Sequence, residues 1–328
     1  MAYVRYIVEW GSKIMAPEEV LLEVCDYIGC DRSELHIIGG YDLNVYEAAI
    51  VGRSPVIIKL YEHGIHNTAH IQSEVEWVQY LHEYGIPVAA PLSLRGQLVH
   101  SLPTHFFTIY EKILGQRIQI HDEQVWNERL FKDWGAALAQ MHAASEAYDG
   151  SPLVRPHWKE HALYQQEHHQ LDPTVRSKWE QYCKWLSEQT VTPAEYGIVH
   201  GDLHQGNLLI KQNTPVIIDF GDSEYHWYAY DVAIAIYHAV STVQAPEERR
   251  NFAERFHDAM MEGYTSHRST RLITPRLNDF IDYRHVFSYV YHHTYADFSK
   301  LTDQQVIFMQ NMKQSIVQQD HFLGFALA

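Results

Sequence analysis

The spacing of apolar side chains divides the chain into a strand-rich first third and a mainly helical remainder. Behind Pro17-Glu18-Glu19, the residues Val20, Leu21, Leu22, Val24, Tyr27 and Ile28 predict a helix over 17–29. Proline and acidic residues favour that helix N-terminus. The character changes at Leu35-His36-Ile37-Ile38. This run, 44–51 and 56–60 are rich in strand-forming residues and are broken by Gly39-Gly40 and Gly52-Arg53-Ser54-Pro55, the pattern of an antiparallel meander. Ile71, Val75, Val78 and Leu81 recur at helical spacing until Gly85-Ile86-Pro87 ends the helix. Two further strand-like runs, 97–99 and 106–113, close at Gly115.

Beyond Gly115 the period becomes helical. Trp126, Leu130, Phe131, Trp134, Leu138 and Met141 trace one face of a long helix running to about Ala144. One or two polar helices are expected over 158–189, anchored by Trp158, Leu163, Trp179, Tyr182 and Trp185. A strand pair follows around residue 200, then helices from about 229 to the end. There is no repeat, low-complexity stretch or Pro/Gly/Ser-rich linker. The fold class expected is α+β and bilobal. Residues 1–111 form a small antiparallel-sheet lobe with one main helix, and 112–328 a larger helical lobe. The crevice between them is suited to a nucleotide.

Composition narrows the function. The 328 residues are 46% hydrophobic and 20% charged, as in ordinary globular chains. With 25 Lys and Arg against 41 Asp and Glu, the net charge is −16. Such a field repels nucleic acid and anionic lipid and draws cations, so a small-molecule partner is expected, with neither nucleic acid nor membrane. Cys25, Cys30 and Cys183 make an odd set without a metal-ligand pattern and read as free thiols. Arg5, Glu9 and Lys13 interrupt any signal-peptide core, and no apolar run approaches the ~18 residues of a membrane span. A soluble, cytoplasmic protein is expected.

The chemistry concentrates in His200-Gly201-Asp202-Leu203-His204-Gln205-Gly206-Asn207, followed by Asp219-Phe220-Gly221. Phosphoryl transfer requires a phosphate cradle, a cation on the phosphate oxygens, ligands for Mg²⁺ and a carboxylate at the attacking hydroxyl. Asp202 and Asn207 stand five residues apart, the separation of the H-R-D-x-x-x-x-N catalytic loop. A short loop after a strand can aim Asp202 at the acceptor hydroxyl and the Asn207 amide oxygen at a metal. Asp219 leaves the apolar strand Pro215-Val216-Ile217-Ile218, and Gly221 gives the backbone room to turn. Mg²⁺ takes hard oxygen ligands and keeps several waters, so a carboxylate, an amide oxygen and nucleotide phosphates suffice. Upstream, Lys59 on a strand can reach phosphate oxygens, with Glu74 on the following helix as its partner; Glu76 lies on another face. Gly39 and Gly40, opening the loop 39–44, are the expected phosphate cover, although two adjacent glycines serve equally as a hairpin turn.

These segments resemble the aminoglycoside phosphotransferase and choline kinase-like phosphotransferase enzyme family, the small-molecule branch of the protein-kinase-like fold. The run from Val199 through His200-Gly201-Asp202 and Asn207 to Ile210 is similar to its H-G-D-L-x-x-x-N signature. Ile217-Ile218-Asp219-Phe220-Gly221-Asp222 is similar to its metal-binding segment. Weaker matches are Trp134-Gly135 with Leu138-Ala139, Met141-His142, Gly85-Ile86-Pro87-Val88, and Tyr230-Asp231-Val232-Ala233, so the likeness spans roughly 36–240. The resemblance implies ATP as phosphate donor, Asp202 as catalytic base, and Asn207 and Asp219 as Mg²⁺ ligands. It also implies Lys59 on the phosphates with Glu74 positioning it. The hinge at Glu111, Lys112 and Ile113 would offer backbone groups to adenine, while His200 and Asp231 would brace the catalytic loop.

Other residues admit two readings. Asp222, Glu224 and His204 are candidates for substrate contact, His204 equally as a solvated loop residue. Tyr225, Trp227, Tyr228 and Tyr230 suit an aromatic wall for an organic cation, but packing is their commoner use. Adjacent helical histidines point about 100° apart, so His168-His169 and His292-His293 are poor metal sites. A protein kinase needs an activation segment ending in A-P-E. Here Asp231 and an apolar helix begin about ten residues after Gly221, and no A-P-E follows. A small-molecule kinase is therefore expected. The alternative is a nucleotide-binding pseudokinase or structural member of the fold without turnover. The acceptor classes span aminoglycosides, amino alcohols, homoserine-like amino acids and sugars, and the acidic balance leans toward an amine-bearing alcohol.

Overall fold

The computed structural model describes residues 15–40, 43–50, 52, 54–149, 154–243, 245–318 and 321–327. Tyr41 and Asp42 of the glycine loop, Arg53 of the next turn, and Arg5, Glu9 and Lys13 lie outside the described residues.

Five antiparallel strands form the first sheet: β1 (Leu35–Gly39), β2 (Val45–Ala48), β3 (Val56–Glu62), β4 (Val99–Ser101) and β5 (His105–Glu111), in the order β1-β2-β3-β5-β4. The two faces of this sheet separate by alternation. Tyr46, Ala48, Val56, Ile58, Leu60, Phe107 and Ile109 pack with Val20, Leu21, Val24, Cys25 and Ile28 of helix α1 (Glu18–Ile28), which covers the outer face. On the alternate positions, Val45 lies opposite Lys59 and Glu47 opposite Ile57. All four are half-buried and line the inner face toward the second lobe. Helix α2 (Thr68–Glu83), capped by the Asn67 side chain, buries Ile71, Glu74, Val75, Trp77, Val78 and Leu81.

The second lobe is built on α3 (Glu128–Ala147), α4 (Pro173–Glu188), α5 (Tyr228–Val240), α6 (Pro246–Thr265), α7 (Leu277–Tyr295) and α8 (Asp303–Gln318). Two segments depart from expectation. The fourth strand of the first sheet begins at Val99 rather than 97. The 158–189 region is two short 3₁₀ turns (Trp158–Glu160, Ala162–Gln165) before α4, because Pro173 starts the regular helix with Asp172 as its cap. Two short sheets frame the catalytic stretch: β7 (Tyr196–Val199) pairs with β10 (Glu224–Trp227), and β6 (Gln116–Arg117) and β9 (Thr214–Ile217) flank β8 (Leu208–Lys211). The segment after α2 joins β9 directly, since the Ile217 amide donates to Pro87 O (2.9 Å) and the Ala89 amide to Ile217 O (3.1 Å). Among the described residues no helix is long and apolar enough to cross a membrane. The chain thus has the protein-kinase-like α+β fold, a five-stranded N-terminal sheet with its helix beside a helical lobe.

Candidate active site

The catalytic stretch is a loop between β7 and β8, tied down from behind by one buried carboxylate. Asp231 on α5 accepts from the His200 amide (2.8 Å) and the Gly201 amide (3.0 Å), and its Oδ2 also faces His142 Nε2 at 3.2 Å. Burial alone would raise the Asp231 pKa, but the His142 hydrogen bond and the neighbouring imidazoles hold it below the usual carboxylate range. The Asp202 amide points at His200 Nδ1, and His200 Nε2 lies 3.1 Å from Ile218 O. The ring therefore links the loop to the residue before Asp219. Gly201 is obligatory: its φ is +80° and a Cβ there would strike the Asp222 carbonyl.

At the front of the loop, the Asn207 amide nitrogen donates to Asp202 O (2.9 Å), which turns its Oδ1 away for another partner. Asp219 adopts φ +64°, a left-handed conformation unusual for a non-glycine residue. Its side chain is 52% exposed to the cleft and its Oδ1 meets Lys59 Nζ at 3.3 Å. Lys59 also meets Glu74 Oε1 at 3.3 Å. Burial works against the Lys59 charge, but Glu74, Tyr61 and Asp219 outweigh it and keep its pKa well above the lysine range. Lys59 in turn holds the Asp219 pKa down, aided by His200. One carboxylate open to the cleft and one spare amide oxygen are a hard-oxygen donor set that fits Mg²⁺.

Asp202 faces a cluster contributed by the C-terminal helices. Arg284 on α7, 8% exposed, donates to Asp202 Oδ1 (2.6 Å), Gly201 O (3.3 Å), Tyr230 Oη (3.1 Å) and His238 Nε2 (3.1 Å). His204 Nε2 lies 3.5 Å from Asp202 Oδ2, while its Nδ1 accepts from the Gly206 amide. Burial would raise the Asp202 pKa. His204 and Arg284 together overcome it and hold the carboxyl far below its ordinary range. Burial and Arg284 keep His238 well below the usual histidine pKa, hence neutral.

Asp222 and Glu224 lie on the run that follows Asp219 and show the opposite shift. Desolvation, then Asp202 and Asp219, raise Asp222 to about 7. Desolvation and Asp222 raise Glu224 to about 8. The aromatic residues beside them divide: Trp227, Tyr228 and Tyr230 are buried core, and only Tyr225 is half-buried, stacked on His157. They form no wall, because the pairing of β10 with β7 turns Trp227 inward and α5 buries Tyr228 and Tyr230.

At the lobe junction, Lys112 pairs with Glu47 on β2 (2.6 Å) and Ile113 is buried. Both border an open recess of about 600 Å³, lined also by Leu114, Gly115, Ile210 and Asn213. Gly39 ends β1 and Gly40 begins the loop above the cleft; the Leu43 amide donates to Gly40 O (3.2 Å) and the Asn44 side chain to Leu60 O (2.8 Å). His168 is buried with Nε2 2.8 Å from Leu163 O, whereas His169 is exposed beside Glu167.

Two arginines at the site carry no local motif. Arg284 has one signal in sequence, a guanidinium embedded in an apolar, aromatic helix, which demands an acidic partner. Arg155, described below, has none.

A family model described as a phosphotransferase enzyme family matches residues 35–269. Amicoumacin kinase of Bacillus subtilis (strain 168) is 27% identical over 321 residues, which is 93% of either chain. Among solved structures, amicoumacin kinase hAmiN in complex with AMP-PNP, Ca²⁺ and Ami is 24% identical with a TM-score of 0.84, covering 93% of this chain and 95% of that one. A microcompartment-associated aminopropanol kinase is 18% identical with a TM-score of 0.72, covering 92% and 95%. These two likenesses are of fold. With well over half of its length matched by the family model, the chain belongs to the phosphotransferase enzyme family, a family of small-molecule kinases.

Proposed function

We propose that the chain transfers the γ-phosphoryl group of ATP to a hydroxyl of an amine-bearing small molecule. Amicoumacin is the first acceptor to test. The observation that carries this reading is the grouping of Asp202, Asn207 and Asp219 opposite the Lys59–Glu74 pair, with Asp222 and Glu224 on the same run of chain. In this reading residues 1–111 cover the nucleotide, and 112–328 carry the catalytic and acceptor groups. Lys59, held by Glu74, meets phosphate oxygens, the loop at Gly39 and Gly40 lies over them, and backbone groups at Lys112 and Ile113 meet adenine. Asn207 and Asp219 would hold Mg²⁺, which when bound neutralises charge on the phosphate oxygens.

Asp202 accepts the hydrogen bond of the acceptor hydroxyl and aims its oxygen at the γ-phosphorus. As the new O–P bond forms, the bond to the ADP oxygen breaks and the hydroxyl proton passes to Asp202. With its pKa so depressed, Asp202 is a weak base whose main contribution is orientation, as a loose transition state allows. His200 and Asp231 hold the loop, and His204 lies within reach of the acceptor. Asp222 and Glu224 are carboxyls whose charge is disfavoured when unpartnered, and a substrate ammonium supplies the missing counter-charge. The 27% identity to amicoumacin kinase along 93% of the chain supports that acceptor class.

The test is ADP release with Mg·ATP across amicoumacin, short amino alcohols, choline, aminoglycosides, homoserine and sugars, with Asp202→Ala as control. Acceptor-dependent release that falls by ~10³-fold or more in the control is expected. ATP binding with no release for any acceptor would overturn the proposal and favour a pseudokinase.

A further inference from the structure

Arg155 lies on the chain between α3 and the first 3₁₀ turn, is 6% exposed, and directs its guanidinium at main-chain carbonyls. Nε donates to Ser223 O (2.9 Å), Nη2 reaches the same oxygen and Gly221 O (3.3 Å), and Nη1 donates to His70 O (2.9 Å). His70 lies in the first turn of α2, one turn before Glu74, while Gly221 and Ser223 follow the proposed metal ligand Asp219. The contacts close a ring: Asp219 to Lys59, Lys59 to Glu74, α2 to Arg155, and Arg155 back to the backbone beyond Asp219. The neighbouring Pro156 O accepts from the Tyr225 amide (2.8 Å), so this stretch runs along the segment it braces.

We propose that Arg155 is a positioning residue that locks α2, and with it Glu74, to the Gly221 and Ser223 backbone. The Lys59–Glu74 pair is then assembled before nucleotide binds. In protein kinases the equivalent lysine–glutamate pair depends on helix position and activation-loop phosphorylation. Here only six residues separate Gly221 from α5, and a buried guanidinium takes over the tie. The geometry favours arginine over lysine, because the guanidinium spreads its donors over a rigid planar fork that reaches carbonyls on two sides, whereas an ammonium gathers its three donors at one point. Desolvation lowers the Arg155 pKa, opposed by Glu74, Tyr61 and Asp222, and arginine stays charged throughout. The significance of the pair rests on the kinase reading, whereas the tie is tested without any acceptor.

Two measurements decide it. Hydrogen–deuterium exchange of the unmodified protein, with and without Mg·AMP-PNP, is expected to find the first half of α2 already protected without nucleotide. Protection of that segment appearing only with nucleotide would overturn the proposal. The second is a double-mutant cycle of Arg155→Lys and Glu74→Gln read as Mg·ATP affinity. Each single change is expected to weaken binding about tenfold, and the pair no more than the worse single. No weakening in Arg155→Lys, or additive losses, would count against it. If Arg155→Lys is not recovered folded, Arg155→Ala takes its place. Guanidinium ion, but not sodium at equal ionic strength, is expected to restore its Mg·ATP affinity; equal effects of the two salts refute the tie. A lack of acceptor turnover would sink the function proposed above and leave these readouts intact.

Discussion

The carboxylates of the cleft split into two groups whose neighbours push them in opposite directions. Asp202 is held low by His204 and Arg284 against its burial, and Asp219 by Lys59; Asp222 and Glu224 are raised by desolvation and by other carboxylates. Replacing Arg284 by Met removes a cation 2.6 Å from Asp202 and leaves a half-buried acid without it. The acid limb of the kcat–pH profile is therefore expected to move upward by about a unit or more, with Arg284→Lys reversing part of the shift. An unmoved limb in a folded Arg284→Met variant would make the arginine a packing residue only. At Glu224 the sign is opposite. Its carboxyl is largely neutral below about pH 8, so KM for an amine-bearing acceptor is expected to fall as pH rises from 6 toward 8. Glu224→Gln should raise that KM by ~10-fold and flatten the dependence. A KM indifferent to both pH and the substitution would remove Glu224 from acceptor binding.

At the level of elements, the loop from His200 to Asn207 keeps its shape because α5 supplies Asp231 from behind and α3 supplies His142. The position of α3 is fixed by its crossing with α6. A Cβ at Gly135 would strike Met260 O, and one at Gly263 would strike Lys132 O, so the two backbones touch at both glycines. Either Gly→Ala change must spread the helices or distort them, at a cost of ~1–3 kcal/mol. Thermal unfolding of Gly135→Ala or Gly263→Ala is expected to show a Tm lower by several degrees. A lowering of kcat should accompany it, because α3 carries His142. An unchanged Tm would mean that the helices separate without penalty.

Across the whole molecule, two hydrophobic cores flank the cleft: the sheet with α1, and the larger cluster centred on α3, α5, α6 and α7, to which α2 also contributes. Stability of the ligand-free protein should follow the carboxylates lying between them. Glu224 has its pKa raised toward about 8, above its unfolded value, so the stability it confers is present at acid pH and lost as pH rises through that value. Asp202, Asp219 and Asp231 are depressed, so theirs is lost as pH falls through their folded values. Tm is expected to decline from about pH 5 to pH 8, less steeply in Glu224→Gln. Identical slopes for the two proteins would refute this account.

The sequence by itself determined the two-lobed α+β pattern and the grouping of Asp202, Asn207 and Asp219. Those residues are close along the chain, and their strand-loop-strand setting is written in local periodicity. The Lys59–Glu74 contact was legible for a related reason, since strand and helix phases put both on inward faces. Periodicity names the face a residue occupies but not what lies across from it. So α1 was readable as a helix and not as the outer cover of the sheet, and the aromatic run at 225–230 was readable as apolar and not as mostly core. Arg155 and Arg284 meet partners 46 to 85 positions away, where no spacing rule operates. Only the tertiary structure decided that a guanidinium must neutralise Asp202 and that another must fill the gap between α2 and the backbone after Asp219. Burying a charge demands partners, and the packing of distant elements selects which ones.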